Sequence, residues 1–426
     1  MHLTDDEKRM ASGDEGNAVA RAMDLLIRYG EALGAERLLP VTNVAGTWSS
    51  TTPFVQADLD RPDDFDAIFS RFNLDSDETV DTPRAVVSTC QLIHGIDTRH
   101  GVKQGFTEDQ IALQKASEKY FGERGVQWSS TCTPYQVGNV PVKGEHLAWM
   151  ESSAVVYANS VLGARTNVEG RESTGAASIT GRIPDFGLHR DENRHARHLI
   201  DVDAPPDTMR DWGLLGYWIG GAVMEESPVL SGIDETPRPM WLKHFGAAAA
   251  SSGGVELYHI PGVTAEARSV EDALGPHRPD RHRYGAAERR AALDRLNGRN
   301  ARSDVDFVML GCPHNSAEQM WRIAELVDGR RLADGVRLWV HTPRQIRHLC
   351  DESGVTATIE RTGALVISDS CPAINRMLPD GCEIVATDSV KQAHYLPAIT
   401  GRPTWFGSLE DCIEAALTGR FPERTA

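Results

Sequence analysis

Apolar residues recur at helical spacing from Ala18 to Leu33, behind a capping box, Thr4-Asp5-Asp6-Glu7, that predicts an earlier helix start because its hydroxyl and carboxylate each satisfy a free N–H. PVTNVAGTWSSTTPF then reads as a short apolar strand running into a Gly/Ser/Thr-rich loop, in which Asn43, Ser49 and Ser50 are hydrogen-bonding candidates for a ligand. RAVVSTCQLIHGID, residues 84–97, predicts a strand ending at Cys90 and His94. TEDQIALQKASEKYFGERGVQW predicts a helix capped by Thr107 and stopped at Gly125, after which a short strand delivers the chain to Cys132. From Ala148 to Leu162 the apolar spacing again suits a helix, with Glu151, Ser152 and Asn159 on its other face and Gly163 as its end. ARHLIDVD and GLLGYWIGGAVM read as two further strands. LKHFGAAAASSGGVELYHIPG, residues 242–262, has the small residues that permit close backbone approach, either as a turn into a helix or as simple packing. Residues 263–303 mix both signs of charge with alanine, which predicts a solvated helical connector between domains.

The last third has the clearest period. DVDFVMLG, VRLWVHT, ALVISDS, EIVATDS and PTWFG are short apolar runs, and helical segments separate most of them, among them Ser316 to Val327, PRQIRHLCDESG, VKQAHYLPAI and SLEDCIEAAL. Such alternation predicts a mostly parallel sheet covered on both faces. The expected architecture is therefore α/β, with several domains, a first region at 1–290 and a Rossmann-like α/β/α domain at 291–426. Ligands of such sheets sit at the carboxyl ends of the strands. There the chain carries Gly311-Cys312-Pro313-His314, Asp369-Ser370-Cys371-Pro372, and Thr387-Asp388-Ser389 with Lys391.

Composition narrows the classes. A formal charge of -17 on 426 residues argues against a dominant nucleic-acid surface, which draws on clustered Lys and Arg. No apolar run reaches membrane-spanning length, and the N-terminus lacks the pattern of a secretory or transit segment. Seven cysteines, scattered singly, form no secreted disulfide framework, so a reducing, cytoplasmic setting is expected. Cys350 and Cys412 fall within helices and read as apolar filler; Cys382, at the start of a strand, is undecided.

Chemistry concentrates between Trp128 and Arg194. There Glu151, Ser152, Ser153, Asn159, Ser160, Arg165, Thr166 and Asn167 interrupt an apolar segment, and burying so many polar groups costs free energy unless each finds a partner. This stretch reads as the wall of an active site. Cys132, Cys312 and Cys371 share one predicted context, each at a strand end, and two of them precede a proline. Three thiolates meeting at one point would suit an iron–sulfur cluster or zinc; the plain alternative is three small hydrophobic residues.

TCTPYQVGNVPVKGEHLAWMESSAVVYANSVLGARTNVEG, GRIPDFGLHRDENR, GCPHNS, SDSCP, TDSVKQAHYL and WFGSLEDCIEAAL together resemble the aconitase X family, over essentially the whole chain. The resemblance implies an aconitase-like fold and a hydro-lyase whose iron–sulfur cluster, [4Fe-4S] or [2Fe-2S], or mononuclear iron, is held by Cys132, Cys312 and Cys371. It also implies a separately encoded small subunit, a swivelling domain that closes the site and carries a catalytic serine. The activities it implies are dehydration of cis-3-hydroxy-L-proline, preferred here, or of mevalonate 5-phosphate; a non-catalytic iron-binding or regulatory protein is the alternative of another class. Arg165 is expected to grip a substrate carboxylate through its planar fork. Ser152, Ser153 and Lys391 are further catalytic candidates, and Asn159, Thr166, Asn167, His146 and Ser49 are expected to bind substrate. Tyr135 is a candidate acid or base, while His189, Asn193 and Arg194 are expected to brace the loop.

Overall fold

The computed structural model describes residues 1–47, 60–298, 302–376 and 378–422; the candidates Ser49 and Ser50 lie outside them. The first part of the chain holds β1 (Leu38–Pro40), β2 (Asn43–Thr47), β3 (Ser88–Gln91), β4 (Val126–Gln127), β5 (Leu147–Trp149) and β6 (Arg182–Pro184). Four of these form a parallel sheet in the order β4-β3-β2-β5, and β1 pairs antiparallel with β6. Helices Asn17–Ala32 and Arg171–Thr180 pack beside that sheet and close a core around Met23, Leu26, Phe69 and Phe121. The predicted capping box and the predicted Thr107 cap are both present: the Thr4 and Thr107 hydroxyls accept from the N–H groups of Glu7 and Gln110, and Gln110 completes a second box at Thr107.

A second parallel sheet, in the order β8-β7-β9, is made of β7 (His198–Val202), β8 (Pro228–Ser231) and β9 (Asp280–Tyr284). Here two expectations are corrected. GLLGYWIGGAVM is not a strand but most of the helix Met209–Val223. An apolar run of that length does not distinguish a buried strand from a buried helix, and its glycines decide the matter. A Cβ on Gly216 would stand 2.2 Å from the Phe245 carbonyl oxygen, so the helix lies almost backbone to backbone against the helix Pro239–Gly253. Nor is the charged segment a plain connector, because Asp280–Tyr284 joins the sheet as β9 and pairs with β7. Its burial is confined to Tyr284 and, in part, His282, which is why an edge strand reads as solvated.

The third sheet contains β10 (Phe307–Leu310), β11 (Arg337–Thr342), β12 (Leu365–Ser368), β13 (Val385–Thr387) and β14 (Thr404–Phe406), all parallel, in the order β12-β11-β10-β13-β14. This is the alternation read from the sequence. Every residue of β10 is buried, as a central strand covered on both faces must be. Cys382 does not start a strand; it sits in the loop ahead of β13 and packs with Phe307 and Trp339.

The expected helix 148–162 is also redrawn. Leu147–Trp149 is pulled into β5 by pairing with β2, the helix begins at Ser152, and Ala158–Leu162 continue it as a π-turn that ends at Gly163, φ 73°. The widened turn lets the Asn159 side chain accept from the Thr166 N–H at 3.0 Å and donate to the Thr166 and Glu256 carbonyls at 2.8 and 3.0 Å. Single π-turns of this kind often mark functional sites.

Candidate active site

Two loops leaving the third sheet and one leaving the first bring the cysteines together. Cys312 follows β10, Cys371 follows β12 and caps the short helix Pro372–Asn375, and Cys132 stands in the loop between β4 and the turn Pro134–Gln136. Cys132 therefore does not directly end a strand. All three are buried; Cys312 and Cys371 share a hydrogen bond, and each lies within electrostatic reach of Cys132 or is reached by it. That hydrogen bond pushes the Cys312 thiol up and holds Cys371 below the usual thiol range. Burial, with Glu151 and Cys312 nearby, pushes Cys132 up to about 12. Cys350 and Cys412 lie apart, in the apolar core with Val308 and Ile359. None of the seven cysteines forms a disulfide.

His314 ties the three loops to one another. Its backbone N–H donates to Cys132 Sγ at 3.3 Å, its Nδ1 meets Thr131 Oγ1 at 2.9 Å, and its Nε2 meets the Ser370 carbonyl at 3.2 Å. Burial, with His341 beside it, pushes the ring down to about 3, so it is neutral at ordinary pH. One tautomer satisfies both contacts: Nε2–H donates to Ser370 and Nδ1 accepts from Thr131. Gln392 Nε2 donates to Cys371 Sγ at 3.2 Å.

Two lysines face this centre. Lys391, in the first turn of the helix Val390–Thr400, is ion-paired with Glu151 and lies 3.4 Å from Ser152 Oγ. Ser153 Oγ donates to Glu151 Oε1 at 3.0 Å. Burial opposes both charges, yet their mutual attraction prevails: Lys391 is raised above its ordinary value and Glu151 is lowered below its own. Lys243, buried in the helix Pro239–Gly253, is pushed down to about 8 by burial. Sequence reasoning passed over Lys243 and assigned no role to His314 or Glu151. The signal was present as a Lys-His pair inside the otherwise apolar LKHFGAAAA.

Arg165 belongs to a neighbouring polar group. It donates to the His189 carbonyl at 3.0 Å and forms an ion pair with Asp191, whose side chain is 84% exposed against 20% for Arg165. His146 Nδ1 meets His189 Nδ1 at 3.0 Å, and burial pushes His189 down to about 3. Asn167 accepts from the Leu188 N–H at 2.8 Å, while Thr166 accepts from the Trp149 N–H at 3.1 Å and donates to the Asn167 carbonyl at 2.8 Å. Asn159 and Thr166 thus have their polar atoms engaged within the π-turn and its exit. Arg194 reaches the Leu188, Asn159 and Ala164 carbonyls and Glu266, bracing the same turn. The Tyr135 hydroxyl is buried without a hydrogen-bond partner among the described residues, its ring stacked on Tyr157 at 4.0 Å between centroids. A cleft of about 480 Å³ opens at Ser152, Asn167 and Leu188, with Glu225, Glu226 and Glu256 also in its lining. Burial pushes Glu256 up to about 7.

Among the described residues, no group of three or more His, Cys, Asp or Glu side chains is set to hold a metal ion. The donor set nevertheless fits a thiolate-held iron centre in its chemistry: three buried thiols with two ammonium groups within electrostatic reach. Among the described residues, no helix is long and apolar enough to cross a membrane.

Family models described as the first, second and third domains of aconitase X match residues 1–192, 196–294 and 305–418. The chain is 34% identical to the phosphomevalonate dehydratase large subunit of Methanocaldococcus jannaschii over 421 residues, 97% of this chain and 100% of that one. It is 33% identical to the cis-3-hydroxy-L-proline dehydratase of Hypocrea jecorina over 431 residues, 99% of this chain and 69% of that one. The crystal structure of Thermococcus kodakaraensis aconitase X in its holo-form superimposes with a TM-score of 0.82 at 32% identity, covering 98% of this chain and 100% of that one.

Proposed function

Because the chain belongs to the aconitase X family, a family of dehydratases, we propose that it is the large subunit of a hydro-lyase that removes the hydroxyl of cis-3-hydroxy-L-proline at an iron or iron–sulfur centre held by Cys132, Cys312 and Cys371. The convergence of those three thiols beside Lys391 carries the reading. Iron bound there would supply Lewis acidity toward the departing hydroxyl. Arg165 takes the substrate carboxylate by exchanging it for the exposed carboxylate of Asp191, so one ion pair replaces another. Lys391, kept charged by Glu151, holds a proton next to Ser152 at the edge of the cleft. The base that takes the carbon-bound proton belongs to a separately encoded small subunit, a partner that fits the large-subunit names of the relatives.

Glu225 and Glu226 in the cleft lining, set against Arg197, favour an amino acid's ammonium over a phosphate dianion, which supports hydroxyproline. Mevalonate 5-phosphate is the second reading, favoured by a chain that spans the full length of a phosphomevalonate dehydratase large subunit. Anaerobic co-purification with the small subunit, an iron count and dehydration assays on both compounds separate them. Turnover of the phosphate ester alone would overturn the substrate assignment, and an iron-free, inert complex would overturn the reaction.

A further inference from the structure

Lys243 is 2% exposed, and its ammonium donates to two neutral oxygens, the His314 carbonyl at 2.9 Å and Gln319 Oε1 at 2.6 Å. Among the described residues it has no ion pair. A buried ammonium without one costs several kcal/mol, so its retention calls for negative charge close by. The acidic groups within its electrostatic reach are Cys132, Asp388 and Cys312, and the basic ones are His244 and His314, both pushed down by burial. Asp388 lies within that reach, but among the described residues it forms no ion pair with Lys243, and burial pushes its carboxyl up to about 6. Lys391 differs, because Glu151 already neutralises its charge.

A dipositive iron or cluster core on three thiolates is left with one net negative charge, which is what an ammonium held only by neutral oxygens can answer. We propose that Lys243 is the counter-charge of the cysteine centre, a positioning residue that stabilises the loaded thiolates electrostatically and ties the His314 loop to the helix Pro239–Gly253. This rests on the iron reading given above. It extends that reading to a residue whose amine donates to no thiol.

The test uses the complex with its small subunit, reconstituted anaerobically with iron, and reads iron release to a ferrous chelator and the reduction potential of the centre. Lys243→Met is expected to release iron roughly 10- to 100-fold faster, the usual cost of losing a group that supports metal ligands, and to shift the potential negative. Lys243→Arg is expected to keep the wild-type potential. Gln319→Glu guards against a folding defect. It preserves the capping box in which Gln319 accepts from the Ser316 N–H, yet gives Lys243 a carboxylate partner. It is expected to shift both readouts in the same direction as Lys243→Met. Wild-type release and potential in both Lys243→Met and Gln319→Glu would overturn the inference while leaving the iron centre standing. A wild-type complex that takes up no iron would overturn both.

Discussion

Lys391 and Glu151 are each buried, and each is tolerable only because of the other. Lys391→Met leaves an unpaired carboxylate beside Cys132 and is expected to cost about 3–5 kcal/mol in urea unfolding. Adding Glu151→Gln should recover part of that loss, and strict additivity of the two changes would disprove the coupling. At the thiols the expectation is selective. Cys132→Ser, Cys312→Ser and Cys371→Ser each lower bound iron, whereas Cys350→Ser and Cys412→Ser, in the apolar core, leave it unchanged. Iron counts on the five purified variants check this, and bleaching by Cys350→Ser alone would reassign the ligands. Arg165→Met is expected to lower kcat/KM by about 100-fold, the loss of one charge-assisted pair to substrate.

Among the elements, the closest approach in the second domain is between helices Met209–Val223 and Pro239–Gly253, the second of which carries Lys243. A Cβ on Gly220 would stand 2.1 Å from Ser252 Oγ and 2.4 Å from the Ala249 carbonyl oxygen. Gly220→Ala therefore forces the helices apart and is expected to cost about 1–3 kcal/mol by overpacking, read as a lower urea midpoint. The same contact explains a misreading. Glycine in an apolar run looks like a poor helix former until the neighbouring backbone it admits is known. The π-turn at Ala158–Leu162 was illegible for a similar reason, since only the fold shows that Asn159 spends its amide on Thr166 and Glu256.

For the molecule as a whole, two buried carboxyls away from the cysteines, Glu169 and Glu256, contribute to the response to pH. Burial pushes Glu169 up to about 7, above the ordinary 4.5, so the folded protein holds a proton that the unfolded chain releases. Its contribution is fully present below about pH 4.5 and is lost as pH rises through about 7. Glu169→Gln, which can still accept from Ser173 Oγ, is expected to be more stable than wild type at pH 8 by up to about 3 kcal/mol and equal to it at pH 4. Urea midpoints at both pH values measure this, and an unchanged difference across the range would refute it.

The sequence alone determined the alternation of strands and helices in the last third, the capping box at Thr4 and the cap at Thr107, the separation of Cys350 and Cys412 from the site, and the resemblance to a dehydratase family. These are local or whole-chain patterns, written in residue period and motif. Tertiary structure decided what depends on distant segments meeting. Glu151 pairs with Lys391 from far along the chain, His314 reaches both Thr131 and Ser370, and Asp280–Tyr284 becomes a strand only because β7 is there to receive it. It also turned Asn159 and Thr166 inward onto backbone partners and set Lys243 behind the thiols. Periodicity records which face of an element is apolar. It does not record which polar group waits on the element packed against it, and that pairing is what makes a buried charge stable.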